Sequence, residues 1–199
     1  MLPWILARAT GFTALALLTG AMVAGLLVRT RTGVGSLKGG AMVGLHRHLS
    51  LLALAATGAH GLFLLLDTTV DISPLALVVP GLVPYRPVWT GIGVVAAEIA
   101  LLVHLSFRVR GRIGVPWWRR IHWLAYAAFA GAVVHGLASG TDSASRPALA
   151  FYGGAVGAVA GLTGWRATSA RRRRGRSARS GAGRQTGAMA RPASGEARS

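Results

Sequence analysis

The sequence predicts an all-α membrane protein, a bundle of about five transmembrane helices with the N-terminus outside and the C-terminus in the cytoplasm. Two observations lead there. Of the 199 residues 52% are hydrophobic, with mean hydropathy +0.50, and the apolar residues come in long runs where a soluble domain would show short amphipathic stripes. The basic residues, moreover, gather in alternate connections between those runs.

Five runs are long enough to cross a hydrocarbon layer of about 30 Å at about 1.5 Å per helical residue. They lie near Trp4–Val28, Leu45–Leu66, Trp89–Phe107, Trp118–Ala138 and Ala148–Trp165. The first has no basic stretch ahead of it and no small-residue cleavage site, so it reads as a retained helix. A sixth apolar stretch, Ile72 to Val83, is short and broken by Pro74 and Pro80. It reads as a re-entrant or interfacial loop, capable of acting as a lid. Residues 1–165 thus form the membrane domain. In residues 166–199 ten arginines face the single acid Glu196, a composition that cannot bury a core and is expected to be disordered. The run Arg171–Arg174 suits anionic lipid headgroups, and tethering at the membrane argues against a nucleic-acid partner.

Orientation follows from the short loops, because cytoplasmic ones keep an excess of Lys and Arg. The first connection carries Arg29, Arg31 and Lys38, with Arg47 just beyond. The third carries Arg108, Arg110, Arg112, Arg119 and Arg120. Asp67, Asp71 and Arg86, then Asp142 and Arg146, mark the opposite face. The chain is expected in the cell membrane as a multi-pass protein.

Cysteine is absent, which removes disulfides, cysteine-held iron–sulfur clusters and covalent c-type haem attachment. Histidine is then the chemically informative residue. His46 and His60 lie fourteen apart in the second run, His122 and His135 thirteen apart in the fourth. An imidazole in a membrane span is costly unless its ring is held, so pairs near both ends of two spans point to bound metal or haem. Both runs start on the cytoplasmic side and are parallel. This sets His46 beside His122 near the inner face and His60 beside His135 near the outer face, the two levels about 20 Å apart.

Helical phase supports the pairs unevenly. Fourteen residues leave the two rings about 40° apart, and thirteen leave about 140°, so the fourth helix must be distorted or its rings must approach from different sides. His60-Gly61-Leu62 and His135-Gly136-Leu137 are each followed by an aspartate at the same offset, Asp67 and Asp142. Glycine after each outer histidine admits a flat macrocycle or a neighbouring helix. His48 and His104 read as interfacial polar residues, and Phe129 as packing or as a ring between two haems. Glu98, in mid-span, should be neutral or partnered inside the bundle, as a proton relay or quinone contact. Arg47, Arg119 and Arg120 suit inner haem propionates, and Arg86 or Arg146 outer ones. A non-redox membrane protein, using its histidines for metal-ion transport or as a partner-subunit anchor, remains the alternative. Transport would favour histidines clustered with acids at one depth.

The H-x13-H and H-x12-H spacings on two parallel spans resemble the ferric reductase and NADPH oxidase transmembrane family. The runs His46-Arg47-His48-Leu49 and Trp117-Trp118-Arg119-Arg120-Ile121-His122-Trp123-Leu124-Ala125-Tyr126 are similar to those of bacterial ferric-reductase-like membrane proteins, and the resemblance covers roughly residues 40 to 142. It implies a membrane cytochrome b with two b-type haems, His46, His60, His122 and His135 being the axial iron ligands. Electrons would move from the cytoplasm outward, to ferric iron or a flavoprotein. Five spans stand where six are usual, and no flavin and nicotinamide domain follows the last. A separate cytoplasmic reductase or a membrane quinol is therefore the expected donor. Such an electron-transfer subunit needs no general acid or nucleophile.

Overall fold

The computed structural model describes residues 2–30 and 39–189, the side chains of 30 and of 170–189 excepted. Arg31, Lys38 and Glu196 lie outside the described residues, and so do the side chains of Arg171–Arg174. The described chain is all-α, with five long helices: α1 Leu2–Thr30, α2 Gly40–Leu65, α3 Pro87–Ile113, α4 Val115–Ser139 and α5 Arg146–Met189. Each contains a stretch long and apolar enough to cross a membrane, the last being Arg146–Ser169. A first compact unit, Met1–Val159, contains the four paired histidines; a second begins at Ala160. The backbone of α5 is helical to Met189, past the point where the sequence predicts a disordered tail. Ala and Arg, abundant there, are strong helix formers.

Local sequence explains the helix ends. Gly114, at φ 79°, closes α3 and opens α4 in a single residue, with Pro116 in the first turn of α4. The arginine-rich third connection is therefore two helix ends meeting at one glycine. Between α2 and α3 the apolar stretch forms only a short 3-10 turn, Pro74–Leu77, capped by the Ser73 hydroxyl accepting from the Ala76 N–H at 3.3 Å. Ala76 and Val83 are buried while Leu75, Val78 and Leu82 face outward. Leu77 abuts Gly61, and Gly81 abuts Gly91.

In membrane fashion the larger apolar side chains point outward and small ones line the helix contacts. Leu51, Leu52, Leu101 and Leu102 are about half exposed, whereas Ala7, Ala21, Ala24, Ala53, Ala96 and Ala128 are buried. Helix α1 packs along α2, and α3 along α4. The two hairpins meet through α1 against α4 and α2 against α3, which puts α2 and α4 on a diagonal. The first turns of α5 join the core: Tyr152, Ala155 and Val159 pack with Leu15 and Met22 of α1 and Phe129 and Val133 of α4 in a buried cluster. Phe129 is thus a packing residue of that core.

Gly136 admits α5, because a Cβ there would lie 2.5 Å from the Tyr152 hydroxyl oxygen. Gly136→Ala is expected to lower the thermal midpoint by the equivalent of about 1 kcal/mol or more, with Tyr152→Phe restoring only part of it, because the ring carbons still stand 3.0 Å from the new Cβ. Circular dichroism melts in detergent check both variants.

Candidate functional site

The histidines come together as their spacing requires. His46 and His122 have ring centres 6.1 Å apart, and His60 and His135 6.2 Å apart, with the ring planes at 72° and 76°. Two pairings in the same order make α2 and α4 parallel. Helix α4 is continuous, with no 3-10 or π stretch between His122 and His135. The thirteen-residue offset is therefore taken up by the ring directions, not by a break.

The separations themselves carry chemical information. A metal held between two imidazoles sets the ring centres roughly 6.2 Å apart, given about 2 Å per metal–nitrogen bond and about 1.1 Å from nitrogen to ring centre. Both pairs match that span. Among the described residues, by contrast, no three His, Asp or Glu side chains converge as a bare metal ion would need.

Three of the four rings are fixed from behind. His46 Nδ1 lies 2.8 Å from the Ala21 carbonyl, His60 Nδ1 2.7 Å from that of Ala7, and His135 Nδ1 3.0 Å from that of Trp89. A carbonyl only accepts, so each of these Nδ1 atoms carries a proton, and in the neutral ring that leaves the lone pair on Nε2. His122 is placed differently. Its ring lies against Trp118, centres 5.2 Å apart at 30°.

Each fixed ring also rests on a glycine: His60 on Gly11, His46 on Gly25, and His135 on Gly93. In all three cases the glycine stands four residues after the carbonyl that takes the Nδ1 proton. These glycines and carbonyls were missed by reading the sequence for side chains. A signal was present, since Gly11 and Gly25 are fourteen apart, like His46 and His60 on the antiparallel neighbour.

Charged residues frame both ends. Beside the His46–His122 pair, the Arg47 and Arg110 guanidiniums lie 5.5 and 4.2 Å from the Phe107 ring centre. Trp118 meets the same ring edge-on at 6.3 Å, and its buried Nε1–H has no hydrogen-bond partner among the described residues. Arg120 instead covers Trp117, at 4.7 Å. At the other end Arg8 pairs with Asp142 and lies 4.3 Å over Trp4. Arg86, left-handed at φ 46°, donates to the Ala138 carbonyl, and the Tyr85 hydroxyl donates to that of Ser139 at 3.4 Å. Together they satisfy the last carbonyls of α4 just beyond His135.

The remaining sequence candidates stand outside the pairs, although His104 lies near enough to His46 and Arg47 to interact with both electrostatically. His48 is exposed, its Nδ1 2.9 Å from the Gly44 carbonyl of its own helix. His104 is half-buried on α3. Glu98 does not meet the expected partner inside the bundle: it is exposed on α3, near outward-facing Val95, Leu101 and Leu102. Its place in the helical turn puts it on the outward face. The glycines after the outer histidines admit protein, with Leu77 against Gly61 and Tyr152 against Gly136. Comparisons with known protein families, with curated proteins and with solved structures give no match to this chain.

Proposed function

We propose that this chain is a transmembrane b-type cytochrome that carries single electrons from a cytoplasmic reductase or a membrane quinol to an extracytoplasmic acceptor, such as ferric iron or a flavoprotein. The observation that carries the reading is the pair of ring-centre separations, 6.1 and 6.2 Å, at two levels of the same two helices. Bound haem supplies reversible one-electron chemistry. The chain's own residues supply the rest. His46 with His122, and His60 with His135, would hold one haem each; the carbonyls of Ala21, Ala7 and Trp89 raise the basicity of three ligands and fix their tautomers. Arg47, Arg110 and the Trp118 Nε1–H offer donors for carboxylates beside the His46–His122 pair. The excess of arginine at that end makes it the cytoplasmic one.

The deciding experiment is a reduced-minus-oxidised visible spectrum of the purified full chain, with haem and protein quantified. A sharp α-band of low-spin bis-imidazole haem and two haems per chain are expected. Protein that binds zinc stoichiometrically and no porphyrin, after expression with ample haem, overturns the reading.

A further inference from the structure

The three glycines under the histidine rings recur in a pattern that packing alone does not require. In each, the ring lies over glycine i+4 of the neighbouring helix and its Nδ1 reaches the carbonyl of residue i: Ala7 with Gly11, Ala21 with Gly25, Trp89 with Gly93. Helical geometry explains the offset of four. A Cα–Cβ bond tilts toward the helix N-terminus, so the Cβ of residue i+4 leans back over the carbonyl of residue i. Only a residue without a Cβ leaves that oxygen open to a flat ring from outside. A Cβ on Gly93 would lie 2.5, 2.7 and 2.8 Å from three atoms of the His135 ring, and one on Gly11 or Gly25 3.2 Å from the ring of His60 or His46.

We infer that Gly11, Gly25 and Gly93 are positioning residues: each opens a backbone carbonyl that orients one histidine with Nε2 facing its partner. The His60–His135 pair is then clamped on both sides and the His46–His122 pair through His46. This inference rests on the haem reading for its consequence in cofactor binding, but not for the ring orientation itself.

The test is a graded series of glycine-to-alanine variants. Gly93→Ala is expected to weaken haem retention at the His60–His135 site about 10- to 100-fold, as loss of an outer-shell partner does. That haem should turn partly high-spin in its electron paramagnetic resonance signal while the other stays unchanged. Gly11→Ala and Gly25→Ala should act more weakly, each at its own site. Gly58→Ala and Gly44→Ala, where a new Cβ meets nothing within 4 Å, should leave both haems as in the wild type. A cofactor-independent readout is ¹⁵N imidazole resonance of the full chain made without haem. It should show Nδ1–H on His46, His60 and His135, and Gly93→Ala should move the His135 signal alone. If Gly93→Ala does not fold, Gly11→Ala, with a Cβ at 3.2 Å, applies the same criteria to His60. Unchanged haem and unchanged ring signals in Gly93→Ala, or equal effects from Gly58→Ala, would overturn the inference. Normal ring signals in a chain that never binds haem would instead sink the functional reading and leave the positioning role standing.

Discussion

His60→Ala is expected to leave the purified protein with about half of its haem, all of it low-spin. The reason is the separation of the two pairs. His60 and His46 are fourteen residues apart on one unbroken helix, about 20 Å along its axis, and each faces a different partner on α4. On the haem reading, losing the His60 imidazole would remove an axial ligand from one site and touch no atom of the other. Pyridine haemochrome quantification against protein reads the stoichiometry, and paramagnetic resonance reads the surviving ligand field. Equal loss of both haems from a variant that still elutes and melts as wild type would contradict independent sites. Gly58→Ala, two residues away in open space, is the matched control.

Gly131→Leu is expected to prevent the chain from forming its bundle. A single Cβ at Gly131 would already lie 3.0 Å from the Ala96 Cβ and 3.6 Å from the Ile92 Cγ2, so α3 and α4 are in near backbone contact there. Close approach through small residues is how membrane helices gain packing energy when lipid is as apolar as their side chains. A leucine adds three more carbons and must push the helices apart, at a cost of about 3 kcal/mol or more. The same spacing delivers His135 to the Trp89 carbonyl, so haem at that level would be lost with it. Gly131→Ala should cost about 1 kcal/mol and be restored by Ala96→Gly, which returns the missing space to the same contact. Thermal unfolding in detergent, followed by circular dichroism, measures all three. A Gly131→Leu protein that melts like the wild type would show that this contact does not hold the hairpin.

The spans were legible because lipid imposes one requirement on every residue of a crossing helix, and hydropathy records it without ambiguity. The matching of His46 with His122 and His60 with His135 was legible for a related reason: alternation of the spans makes α2 and α4 parallel, and parallel helices preserve order. What held the rings was harder to see. A backbone carbonyl belongs to every residue and marks none, and glycine is common in membrane helices for many reasons. Gly11, Gly25 and Gly93 gain meaning only once a ring is seen above each. The thirteen-residue spacing on α4 looked awkward on an ideal helix, yet the helix absorbs it without a break, because a ring's direction is set by side-chain torsions as well as by phase. Glu98 illustrates the opposite error. Its cost in hydrocarbon argued for the bundle interior, but its place in the helical turn puts it on the outward face.

The diagonal placement of α2 and α4 has a consequence for biogenesis. Each iron would be gripped by one imidazole from the α1–α2 hairpin and one from the α3–α4 hairpin, so porphyrin would act as a rivet between the two halves. On that reading, mass action would make maturation sensitive to cellular haem supply, bound porphyrin adding to the packing that already joins the halves through Leu15, Met22, Phe129 and Val133.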